Sequence, residues 1–154
     1  MRIHLSAATL GIALALACVA VVGYKLVPRQ RADADPVIDA PASCDRNANR
    51  CAVNLPEGGR IELAISPQPI PVVKPLQIDV RVTGAVVRRV ELDFSGRTMD
   101  MGPNRTVLAA AGEGAFRGSA MLPVCVTGRM EWQATLFVDT ESGRRTARFA
   151  FSAP

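Results

Sequence analysis

Histidine is almost missing from this chain of 154 residues, which holds only His4, close to the N-terminus. Whatever folds from the rest has no imidazole for a Ser-His-Asp or Cys-His nucleophilic pair, for a histidine general acid or base, or for an imidazole-ligated zinc, iron or cupric centre. Aromatics are also scarce at 5%. The densest basic spots, Arg88-Arg89 and Arg144-Arg145, are not interleaved with rings on which bases would stack, so they read as solvated strand faces and nucleic acid is not an expected partner. Gly58-Gly59 and Gly112-Glu113-Gly114 lack the strand-to-helix setting of a phosphate loop and read as turns. Glu91 and Asp93 share one side of an extended segment, but its other side is Val90, Leu92 and Phe94. A solvated sheet face explains them better than an acid/base pair does. No catalytic constellation and no small-molecule substrate emerge, and the expectation is a protein that is not an enzyme.

What is present begins with a long apolar run. Residues from Leu5 to Tyr24 carry no charge, enough as a helix to cross a hydrocarbon core roughly 30 Å thick. A cleaved signal peptide is the competing reading, given Arg2 and the small residues Ala15-Leu16-Ala17. The run continues through Cys18, Val19, Ala20, Val21 and Val22, and a lipid-modified Cys18 would want Leu where Ala15 stands, so an uncleaved anchor is expected over residues 1–27. Residues 28–43, with Pro28, Pro36 and Pro41, read as an extended tether, and residues 44–154 as one domain.

Lys25, Arg29 and Arg31 after the helix, against Arg2 before it, would by the positive-inside rule keep the domain in the cytoplasm. Cys44, Cys51 and Cys125 in a small β domain suit an oxidising compartment and point the other way. The domain outweighs the flank, which gives a single-pass inner-membrane protein with its C-terminal domain in the periplasm. Charge is otherwise nearly balanced. The chain has 18 Lys plus Arg and 14 Asp plus Glu, and setting aside Arg2 and Lys25 leaves 16 against 14.

From Cys51 onward hydrophobicity alternates with period two. Ile61, Leu63 and Ile65 form one strand face; Leu76, Ile78, Val80 and Val82 a second; Val90, Leu92 and Phe94 a third. Pro67, Pro69, Pro71 and Pro75 stud the connection between the first two, which therefore cannot be a central strand. Further strands are expected near residues 52–55, 107–110, 116–122, 132–138 and 147–151, with Glu141-Ser142-Gly143 as a hairpin tip. Seven or eight strands without a convincing amphipathic helix predict an all-β, antiparallel two-sheet sandwich of immunoglobulin-like type, preceded by the transmembrane helix.

Cys44 and Cys51 flank a short polar loop and are the expected disulfide. The alternative, Cys51 to Cys125, closes a loop about ten times longer and would stabilise by roughly 2 kcal/mol more in the loop-entropy model. A local bridge leaves Cys125 as a thiol near Met121 and Met130, while Met99 and Met101 sit two apart among Asp100, Gly102, Pro103 and Asn104. Soft sulfur ligands select Cu(I) without imidazole, so Met99, Met101, Met121 and Cys125 are candidate cuprous ligands. Methionines also fill irregular gaps in cores, and Met121 and Met130 read that way too.

The order of Met99-Asp100-Met101-Gly102, Gly114-Ala115-Phe116, Gly128 to Trp132 and Phe149-Ala150-Phe151 resembles the FixH/YtkA-like group of bacterial membrane-anchored proteins. The likeness covers roughly residues 76–154. It implies an immunoglobulin-like extracytoplasmic domain linked to cytochrome oxidase assembly or copper supply, with a membrane protein complex as partner and Met99 and Met101 as candidate ligands. Gly128 and Trp132 stand further apart than in that group, Cys125 is an addition to its pattern, and the lack of a domain histidine speaks against a cupric role. The alternative is an interaction module of a membrane complex that carries no metal.

Overall fold

A computed structural model describes residues 36–45, 50–99, 101–123 and 130–153. They form nine strands: β1 (Val37–Asp39), β2 (Cys51–Asn54), β3 (Arg60–Ser66), β4 (Pro75–Thr83), β5 (Val87–Gly96), β6 (Arg105–Ala110), β7 (Ala115–Met121), β8 (Met130–Thr140) and β9 (Gly143–Ala153). A single 3-10 turn, Ala42–Asp45, lies between β1 and β2, and no α-helix occurs among the described residues. The expected Leu5–Tyr24 anchor lies outside them. Among the described residues no helix is long and apolar enough to cross a membrane.

The strands form one hydrogen-bonded order, β1-β9-β8-β5-β6-β7-β4-β3-β2. β6 is where the sheet turns: its residues from Arg105 to Leu108 pair with β5, while Ala109 and Ala110 pair with β7. The inward rows of both halves meet in one core cluster. Leu76, Ile78, Val80 and Val82 of β4 and Val90, Leu92 and Phe94 of β5 are all buried, and their polar alternates face outward. Each such aliphatic side chain taken out of water contributes on the order of 1.5–3 kcal/mol, which is why period two dictates the fold. Trp132 is fully buried, opposite Gly96 on one side and Phe151 on the other. The missing Cβ at Gly96 leaves room for the Met130 side chain, whose Cε would lie 3.1 Å from it. Phe151 also meets Phe94 edge to face, with centroids 5.8 Å apart.

Two features depart from the sequence expectations. β1 lies within the stretch read as tether, and it pairs with β9 in parallel, Val37 opposite Thr146 and Ile38 opposite Ala147, so the sheet is mixed rather than purely antiparallel. Three residues with one half-buried side chain, Ile38, are too short to display a period. The proline-rich connection behaves as read: residues 67–74 form no ladder, with cis peptide bonds before Pro67 and Pro69, and Pro75 is the first residue of β4.

The connections sort by length. Residues 55–59, 84–86, 111–114 and 141–142 are short turns at one end of the sheet, whereas the eight-residue connections β3–β4 and β5–β6 lie at the other, together with residues 122–123 after β7.

Candidate functional site: the methionine-bearing end

The candidate sulfur ligands among the described residues lie at the end of the sheet with the longer spans. Met99 and Met101 belong to residues 97–104, between β5 and β6, and Met121 closes β7. Alternation along β7 turns Phe116 and Ala120 inward and leaves Met121 half exposed at 50%, just before the fully buried Leu122. Met99 is 39% exposed, and Met101 is half-buried against the core. The reading of Met121 as core therefore fails, because the inward position at that strand end is Leu122. Met130, which was not a candidate ligand, is buried over Gly96.

Asn104 joins these pieces. Its side-chain amide donates to the Met121 carbonyl oxygen at 3.0 Å and its backbone N–H to Asp93 Oδ1 at 3.1 Å, while its own carbonyl accepts from the Phe94 N–H at 3.1 Å. The methionine-bearing loop is thus tied to the end of β7 across 17 positions in sequence. Val73 brings in the proline-rich span: its N–H donates to the Leu122 carbonyl at 2.8 Å, from a φ of +56° that a β-branched residue rarely adopts. Val73 is 58% exposed, so Val73, Met99 and Met121 account for three of the six large exposed hydrophobics among the described residues. Asn104 and Val73 were not legible as site residues. A lone loop asparagine has no distinguishing pattern, and backbone conformation leaves no mark at a valine.

Cys125 lies outside the described residues. Cys44, on the 3-10 turn, and Cys51, at the start of β2, border one small recess with Leu63, Ile65, Ile70, Phe149 and Phe151. The Cys51 Sγ–H donates to the Cys44 carbonyl oxygen at 3.1 Å, and the two side chains are not bonded to each other.

The two carboxylates that share the outer face of β5 each take an arginine. Glu91 pairs with Arg89 at 2.6 Å and Asp93 with Arg105 at 3.6 Å. Among the described residues no group of three or more His, Cys, Asp or Glu is arranged to hold a metal ion.

No family model matches the chain, and no curated protein does. Among solved structures it is similar to an engineered protein at 17% identity and a TM-score of 0.47, over 65% of this chain and 21% of that one. It is also similar to superoxide reductase (neelaredoxin) from Ignicoccus hospitalis, at 14% identity and a TM-score of 0.45, over 77% and 95% of the two chains. The chain thus spans about a fifth of the first and nearly all of the second. Likenesses this distant say nothing about chemistry.

Proposed function

We propose that this chain is a membrane-anchored periplasmic accessory protein of the FixH/YtkA-like kind, not an enzyme, whose immunoglobulin-like sandwich offers sulfur ligands to Cu(I) for oxidase assembly or copper handling. Met99, Met101 and Met121 are the ligands at the loop end, and Cys125 is the fourth candidate. The observation that carries the reading is the Asn104 bond to the Met121 carbonyl, which holds the Met99/Met101 loop beside an exposed methionine far away in sequence. Thioethers suit a cuprous ion and no imidazole is required.

A second reading has its own support. Val73, Met99 and Met121 make an exposed apolar end on which a partner in a membrane complex could pack without any metal. The readings separate in a competition titration of the full chain, in a neutral detergent, against a Cu(I) chelator. The metal reading expects one Cu(I) per chain, indifference to Zn(II), and loss of binding in the Met99→Leu, Met101→Leu double variant. That swap nearly conserves volume and should change stability by less than about 1.5 kcal/mol per site. Failure of the unmutated chain to compete leaves the interaction module.

A further inference from the structure

On the outer face of β3, β4 and β7, with Arg50 just ahead of β2 at its side, lies a shallow basin of about 80 Å³. Its floor is low because Ala64 and Ala115 occupy outward positions where longer side chains would stand. Arginines surround it. Arg50 and Arg60 share one acid, Glu62, taking its two oxygens at 3.8 and 3.1 Å. Arg117 holds Asp79 at 2.6 Å. Arg81 stands opposite Glu62 in the register, yet both carboxylate oxygens are already engaged, and Arg81 has no ion pair among the described residues. Three guanidinium groups, those of Arg50, Arg81 and Arg117, therefore line the depression with two carboxylates, and Arg60 draws on one of those acids from outside it, so the lining is net positive.

We propose that this basin binds a phosphoryl group, with Arg81 as its principal ligand and Arg50 and Arg117 closing on either side. A phosphoryl group carries the negative charge that the net positive lining favours, and guanidinium forks bind its oxygens in a bidentate manner. Size limits the ligand, because the basin is well below the roughly 300–1,000 Å³ of a site that encloses a whole cofactor or drug-sized molecule. A phosphate alone or the head of a larger molecule lying outside the basin fits. Glu62 and Asp79 orient the arginines and set a modest affinity. This site is independent of the copper reading and survives its failure.

The test is an NMR titration of the full chain in neutral detergent, following the backbone amides of Ala64 and Ala115. Inorganic phosphate is one probe, a short-chain phosphatidic acid a second, and chloride at matched ionic strength the control. Saturable shifts at Ala64 and Ala115 are expected with both phosphate probes and not with chloride. Arg81→Gln should weaken binding by about tenfold or more. Glu62→Gln should strengthen it, because it releases Arg50 and Arg60 from their acid. Arg88→Gln, distant from the basin, should leave it unchanged. Tighter binding of the phosphatidic acid identifies a lipid headgroup as the source, and equal binding a free phosphate. Absence of saturation, equal losses in Arg81→Gln and Arg88→Gln, or weaker binding in Glu62→Gln overturns the site.

Discussion

The two ends of the sheet are built by different means. At the short-turn end, two to five residues join successive strands, and the backbone closes on itself so tightly that specific glycines are obligatory. A Cβ at Gly59, where φ is +99°, would stand 2.2 Å from the Thr83 carbonyl oxygen, and one at Gly84 would stand 2.5 Å from the Gly59 Cα. At the other end, the exposed methionines Met99 and Met121 lie on the span between β5 and β6 and at the end of β7, tied together by the Asn104 side chain, and Val73 bonds the proline-rich span to Leu122. The first end is specified by sterics and holds the register. The second leaves side chains free to vary, the usual arrangement in which a rigid scaffold carries functional loops.

The contrast is sharpest for one substitution made at both ends. Gly59→Ala forces a positive φ on a residue with a Cβ and drives that Cβ into backbone, so a loss of about 3 kcal/mol or more is expected. Gly102 also has a positive φ, +71°, but nothing lies within 4 Å of its would-be Cβ, so Gly102→Ala should cost only about 1 kcal/mol, the conformational strain alone. Chemical denaturation of the two variants measures both. Equal losses would mean that the loop end is as tightly specified as the turn end.

The seam between the first and last strands of the order is where a covalent bond would matter. Cys44 and Cys51 sit there, with the Cys51 sulfur already within 3.1 Å of the Cys44 carbonyl oxygen. Their oxidation to a disulfide should stabilise the fold by about 2–3 kcal/mol for so short a loop. Peptide mapping without reduction, followed by denaturation with and without a reductant, checks both the pairing and the size. A Cys51–Cys125 peptide would overturn the pairing.

How much of this was legible follows from the range of each interaction. The buried rows of β3, β4 and β5 were readable because alternation is a local property of the chain. The hairpin tip at Glu141-Ser142 was readable for the same reason, and Thr140 and Gly143 do pair across it. β1 was not, because its only reason to be a strand is a parallel partner more than a hundred positions away. At the loop end, Met99 and Met101 announced themselves by composition, but their link to Met121 runs through an asparagine bond that no spacing encodes. The Arg81 basin was hidden too. It depends on which arginines Glu62 and Asp79 had already claimed.

Electrostatics add a smaller, pH-dependent difference to the short-turn end. Arg145 of β9 reaches across the seam to Glu57 in the β2–β3 turn, with Nε and Oε1 at 2.5 Å, and this hydrogen bond holds the Glu57 carboxyl below its ordinary value. The hydrogen bond from Arg144 lowers Asp139 in the same way. A carboxylate depressed in the folded state contributes stability that is present above its unfolded value, about 4.3 for glutamate, and is lost as pH falls through the depressed one. Glu57→Gln should therefore be less stable than the parent near neutrality and indistinguishable from it in acid below that range. Thermal melts at several pH values read the difference, and a gap that persists unchanged in acid would assign Glu57 a packing role instead.

Another small change in stability tests the loop end itself. Asn104→Ala removes one partly exposed hydrogen bond to the Met121 carbonyl and leaves the backbone bonds to Asp93 and Phe94 in place, so it should cost only about 0.5–1.5 kcal/mol. Its effect on Cu(I) should be disproportionate. If Met99, Met101 and Met121 act together, loosening the loop that holds two of them beside the third reduces their effective concentration for one another, and affinity should fall by about tenfold. Asn104→Asp sharpens the point, because a carboxylate at that position cannot donate to the Met121 carbonyl and should weaken binding at least as much. A variant that melts like the parent yet competes poorly for Cu(I) places the clip in the metal site. Unchanged competition in both variants means that Met121 is not a ligand held by this clip and that any cuprous site lies with Met99, Met101 and Cys125.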